Sequence, residues 1–272
     1  GNYAIVGADG KDQPGTNNNA GTAYIFNVQT GTQLHKITAS DAEGSDYFGY
    51  SVAISGNYAI VGAYGDDDKG GASGSAYIFK VQTGEQLWKI YASDAYNDDD
   101  FGKSVAISGN YAIVAAEGND DAGNASGSAY IFDVRTGIQV KKITASDAAP
   151  EDRFGKSVAI SGNYVIVGSY KDNSSQGAAY IYGPSSPYLL SIEDGVTDIP
   201  NLVTTGLTST NLKVGNDYSF SLEKKFFASD GTASDSFGES VAISGNYAIV
   251  GAWGNDDKGS DSGRDRYISL PL

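Results

Sequence analysis

The chain has 272 residues, a net charge of −15 and a pI near 4.3, with 36 Gly, 19 Tyr and neither Cys nor Met. The lack of cysteine excludes a disulfide framework, a thiol nucleophile and a zinc–thiolate site. The acidic balance argues against nucleic acid or an anionic membrane surface as partner, and no apolar run approaches the roughly 20 residues that span a bilayer.

The chain opens on Gly1-Asn2-Tyr3, in mid-repeat and without Met, as a mature or truncated piece of something longer would. Residues 1–47 read as three short strands, Tyr3–Ala8, Ala23–Phe26 and Gln33–Thr38, joined by glycine-rich turns. At Phe48 a complete unit begins and runs to residue 100. A second copy, 101–153, follows without a gap, and 37 of its 53 residues are identical. Each unit predicts four strands. These are Ser-Val-Ala-Ile-Ser, Tyr-Ala-Ile-Val-Gly-Ala, Ala-Tyr-Ile-Phe and a last one such as Gln-Leu-Trp-Lys-Ile. The first two are joined by Gly-Asn, a pair that tolerates positive φ at both positions of a tight hairpin. The strands are continuously apolar rather than alternating, so both faces of each sheet are expected to be covered.

A fourth unit, 154–236, has the same first three strands and a last strand at Ser221–Phe227. An insertion at about 183–220 separates them, either a long excursion from one blade or, the reading favoured here, a decayed blade with short strands near Leu202 and Leu212. The last unit, 237–272, has two clear strands and a degraded third at Tyr267–Leu270. Four short strands repeated every 40–50 residues are the signature of β-propeller blades. The fold class is therefore all-β: one propeller domain over 1–272, built of four-stranded antiparallel blades.

Phe-Gly at the start of each unit and Val-Gly-Ala at the end of its second strand resemble the FG-GAP repeat. That repeat builds the seven-bladed propeller of integrin α subunits and many bacterial extracellular proteins. The resemblance implies a seven-bladed ring, of which five units are recognisable here with incomplete ends. It also implies a non-enzymatic, extracellular or cell-surface adhesion module with a protein or glycan partner. In the integrin-type blade a calcium loop lies between the first two strands. Here that connection is only Ser55-Gly56-Asn57 and its copies, so the integrin calcium residues cannot be carried over.

In an antiparallel blade, successive connections alternate between two ends of the sheet. The loops between second and third strands and the links between blades therefore share one face. They hold 25 of the 33 acidic residues and only six Lys or Arg, so one face should be strongly acidic and the other near neutral. Asp and Asn beside Gly suit turns, and they also offer the hard oxygen ligands that Ca²⁺ takes. The candidate metal ligands are Asp66, Asp67 and Asp68, with their copies Asn119, Asp120 and Asp121, and Asn255, Asp256 and Asp257. Links such as Asp94 with Asp98-Asp99-Asp100 would complete the shell. The sites should be weak, because Lys69 and Lys258 compete and Asn replaces Asp in two loops.

Tyr and Phe of Ala-Tyr-Ile-Phe read as core. His35, the single histidine, takes a position occupied by Trp88 and Lys141 in the next units and carries no triad. A calcium-dependent lectin or a glycosidase on the same scaffold is the alternative. A carboxylate pair unique to one blade and lining a pocket would favour the glycosidase.

Overall fold

The structure, a computed structural model, describes residues 1–15, 18–184, 220–229, 231–254 and 264–269. Most of the insertion expected at 183–220, and all of Asn255, Asp256 and Asp257, lie outside the described residues.

Eighteen strands are described, grouped into five antiparallel sheets in chain order. The first sheet is β1 (Tyr3–Ala8), β2 (Thr22–Asn27) and β3 (Gln33–Ile37). The second is β4 (Ser51–Ser55), β5 (Tyr58–Ala63), β6 (Ser75–Lys80) and β7 (Gln86–Ile90). The third is β8 (Val105–Ser108), β9 (Tyr111–Ala116), β10 (Ser128–Asp133) and β11 (Ile138–Ile143). The fourth is β12 (Phe154–Ser161), β13 (Tyr164–Ser169), β14 (Ala178–Pro184) and β15 (Phe220–Phe226), and the fifth β16 (Phe237–Ser244), β17 (Tyr247–Ala252) and β18 (Arg264–Ser269). The last strand of the fourth sheet thus starts one residue before the expected Ser221, and the last of the fifth starts three before the expected Tyr267. Each sheet is a meander in which every strand pairs with its sequence neighbour, the blade of a β-propeller.

The hairpins between the first two strands differ from expectation in one respect. Positive φ falls on the glycine alone, +55° at Gly56 and +58° at Gly109, and not on the asparagine that follows. That is the pattern of a II′ rather than an I′ turn.

The continuous apolar strands do have both faces covered. Val61 and Tyr77 of blade 2 pack against Ile25 and Ile37 of blade 1. Their chain neighbours Ile60 and Ile78 pack against Val114 and Tyr130 of blade 3. Equivalent clusters join blades 3 and 4, and blades 4 and 5. The rings of Tyr77 and Tyr130 are core, as read from the sequence, and are fully buried. Val52 and Ile54 of the first strand are only half-buried.

The repeated Phe-Gly and Val-Gly-Ala are pressed together where blades meet. A Cβ on Gly62 would lie 1.9 Å from the carbonyl oxygen of Gly102 in the next blade, and one on Gly168 1.9 Å from that of Gly238. Glycine is the residue that permits this approach. Beside it, Ser51 Oγ donates to the Gly102 carbonyl at 2.6 Å. Phe48, Phe101 and Phe154 are fully buried and meet the aromatic rings of their own third strand edge-on. The blades are thereby packed closely against one another, and the loops after their second strands emerge at the same end as the links between blades.

Candidate functional site

The acidic loops are tied to the strands beneath them. In blade 2, Tyr77 on β6 and Lys89 on β7 are cross-strand partners. Asp66 and Asp68 come from the loop between β5 and β6, and Asp41 from the link out of blade 1. Lys89 Nζ lies at the centre, 2.8 Å from Asp41, 2.7 Å from Asp66 and 2.6 Å from Asp68. The Tyr77 hydroxyl also reaches Asp41 at 3.0 Å and Asp66 at 2.8 Å. One lysine ammonium therefore ties a loop, a link and two strands together.

The same cage recurs in blade 3. Lys142, opposite Tyr130 in register, pairs with Asp94 and Asp121 and lies 3.4 Å from Asn119 Oδ1. Tyr130 donates to Asp94 at 2.9 Å. Blade 4 repeats it in reduced form. Lys225, opposite Tyr180, pairs with Asp147 at 2.6 Å and Asp172 at 2.7 Å, and Tyr180 reaches the same two carboxylates. Blade 1 breaks the pattern, because Lys11 and Gln13 occupy its loop and Lys36 donates to Gln13 at 3.5 Å.

The charges respond as this geometry requires. Burial works against the Lys89 ammonium, yet its hydrogen bonds to Asp41, Asp66 and Asp68 more than offset that and hold its pKa above the usual lysine value. Burial would likewise raise Asp41, but the Lys89 bond and charge bring it below the ordinary carboxylate range. Burial, with Asp66 close by, drives the Tyr77 hydroxyl far up, so it stays a donor. One further carboxylate per link has no lysine. Asp46 accepts from the Glu43 N–H at 2.7 Å, and burial together with the nearby Asp66 pushes it up to about 6. Asp99 and Asp152 cap their links in the same way and are also raised by burial.

Of the residues expected to bind calcium, the structure brings Asp66 and Asp68 together, and Asn119 with Asp121. It turns the others elsewhere. Asp67 is exposed, with its carbonyl accepting from Gly70 N–H, and Asp120 Oδ1 accepts from Ala125 N–H at 2.7 Å. Oxygens of Asp41, Asp66 and Asp68 do lie within 4.8 Å of one another, a spacing that could hold a metal ion. The Asp66 carboxylate, however, already accepts from Ser75, the Asp68 N–H, Tyr77 and Lys89. With the lysine in place the site carries its own cation, and these residues do not fit Ca²⁺, which needs six to eight free oxygens. Asp94, from the link out of blade 2, meets Asp121 of the blade 3 loop through Lys142.

A second group lines the starts of the first strands. Tyr64 stacks on Tyr47 with centroids 5.0 Å apart and meets Tyr50 edge-on, and Lys103 of the next blade lies 5.4 Å from its ring. In blade 3 the Tyr64 position is Glu117, which pairs with Lys103 at 2.8 Å and leaves its other carboxylate oxygen buried without a partner. Trp253, at the same position in blade 5, is 71% exposed.

The FG-GAP repeat model matches residues 32–79, 85–132, 138–182 and 220–265. The chain belongs to the FG-GAP repeat family. Each match starts at the last strand of one blade and ends within the third strand of the next. The family unit therefore spans the blade junction that the lysine cages and glycine contacts build. No curated protein matches the chain. Among the described residues, no helix is long and apolar enough to cross a membrane.

Sequence reasoning missed Lys89, Lys142 and Lys225, and it read Tyr77 and its copies as core alone. The signal was present: a lysine precedes the final Ile in the last strands of blades 1 to 3 (Lys36, Lys89, Lys142), at the position three after each Gln.

Proposed function

We infer that this propeller is a non-enzymatic, extracellular binding or adhesion module. Its ligand, a protein or glycan at a cell surface or matrix, docks on the face formed by the loops between second and third strands and the links between blades. The observation that carries this reading is the rigid presentation of that face. Its loops and links hold 25 of the 33 acids, and the buried ones are held by lysine and tyrosine, as Asp66 is, or by backbone N–H groups, as Asp46 and Asp99 are. Rigid scaffolds presenting variable loops are where binding function concentrates. The cage carboxylates recur from blade to blade in the same bonds, which supports a structural and not a catalytic role for them.

Adhesion of the immobilised chain to cells, matrix proteins and glycan arrays tests this, alongside a variant with the exposed acids Asp67, Asp98 and Asp120 changed to Asn. Specific, saturable binding that the triple variant alters is the expected result. Turnover of a glycan substrate by the chain would oppose the reading.

A further inference from the structure

Blade 4 departs from its sister blades at one place. In blade 2 the Gly74 N–H closes the loop on the Asp66 carbonyl, and in blade 4 the Gly177 N–H closes it on the Asp172 carbonyl. The blade 4 loop is three residues shorter between these points. Its Asn173, Ser174 and Ser175 all take left-handed backbone, with φ of +50°, +60° and +65°. The position of Asp68 and Asp121 falls on Ser174, so the third acceptor that Lys89 and Lys142 find in their own loops has no counterpart for Lys225 among the described residues. A cavity of about 330 Å³ lies there instead, lined by Asp147, Asp152, Asp172, Asn173, Lys225 and Phe227. Phe227 is 48% exposed, with the Lys225 ammonium 4.8 Å from its ring centroid.

We propose that this cavity is a carbohydrate subsite that receives one neutral sugar ring. Charge decides the class. An anion would meet three aspartates on a chain of net charge −15, and a cation would meet the Lys225 ammonium in the cavity wall. A hydroxyl group satisfies both, because it accepts from Lys225 where Asp68 accepts from Lys89 and donates to Asp147 or Asp152. Asn173 supplies a further donor and acceptor, and Phe227 an apolar wall for the C–H face of the ring. The volume falls at the small end of ligand pockets. The proposal rests on the binding-module reading and narrows it to one blade and one ligand class.

The test uses the full chain, titrated with methyl glycosides of glucose, galactose, mannose and N-acetylglucosamine by saturation-transfer NMR and calorimetry. At least one glycoside should bind. Phe227→Ala and Asn173→Gly, both at exposed positions and the second keeping a residue that accepts positive φ, should weaken it at least tenfold with the melting temperature unchanged. Ser174→Asp should abolish binding without loss of stability, by supplying the missing acceptor from the chain itself. Binding that survives all three substitutions overturns the proposal. Failure of every glycoside to bind overturns it too, and if the chain still adheres to cells or matrix proteins, the module reading stands while the sugar subsite falls.

Discussion

Blades 2 and 3 hold their central lysine with a third group from their own loop, Asp68 or Asp121, whereas blade 4 has Ser174 there and a cavity. The lysine, the tyrosine opposite it and the carboxylate of the preceding link are common to all three. The shared parts join neighbouring blades at three successive junctions. The part that differs touches nothing the junction needs, so it is free to change. In a repeat protein the structural residues are those that repeat together in space, and the candidates for recognition are the positions where one repeat drops out of that pattern.

The largest effect should come from removing a cage cation. Lys89→Met leaves Asp66 buried at 4% exposure beside Asp41, Asp46 and Asp68 with no neutralising charge. Breaking a buried pair from one side costs about 3–5 kcal/mol, and chemical denaturation should read about 3. If Lys225→Met in the open cage cost more than Lys89→Met, the ordering of the cages would be wrong. Tyr77→Phe removes two hydrogen bonds to carboxylates and keeps the ring, so it should cost about 1–2 kcal/mol. An unchanged stability would show that the hydroxyl contributes nothing and that the ring alone matters.

A change of opposite sign is expected at Asp46, a buried acid that makes no ion pair with lysine. Its carboxyl is raised to about 6 in the folded chain, above its usual value of 3.8. Its favourable contribution is therefore complete below pH about 4 and is lost as pH rises through 6. Asp46→Asn keeps an acceptor for the Glu43 N–H and should stabilise the chain at pH 7.5 by about 1 kcal/mol, after allowing for solvent screening. The gain should vanish near pH 4. Asp41, lowered by Lys89, has the reverse dependence and loses its contribution as pH falls below its unfolded value. Melting curves of the unmodified chain, Asp46→Asn and Asp41→Asn across pH 2–8 check the two signs.

Much of the scaffold was legible in the sequence because it is repetitive. Four Phe-Gly starts in register located the blades, and continuous apolar runs such as Tyr58–Ala63 announced sheets covered on both faces. The acidic face was legible from the alternation of connections. The cages were not, for a physical reason. Lys89 lies 23 residues from Asp66 and 48 from Asp41, and only the meander with its cross-strand register brings the three together. Asp-rich loops read alone look like ligands in search of a cation. The lysine that answers them sits on a strand whose alternation merely marks it as outward-facing. The blade 4 cavity was hidden in the same way, since the shortened loop at Asp172–Gly177 is an unremarked deletion until its neighbours are placed around it.

The central claim is that a lysine is the resident cation of each cage, and calcium tests it most directly. Thermal melts in 10 mM CaCl₂, 10 mM MgCl₂ and EDTA are compared for the unmodified chain and for Lys89→Met. The account expects calcium to raise the melting temperature of the unmodified chain no more than magnesium does. It expects a calcium-specific rise in Lys89→Met, where Asp41, Asp66 and Asp68 are left without their ammonium. A calcium-specific rise in the unmodified chain that Asp68→Asn abolishes would contradict it.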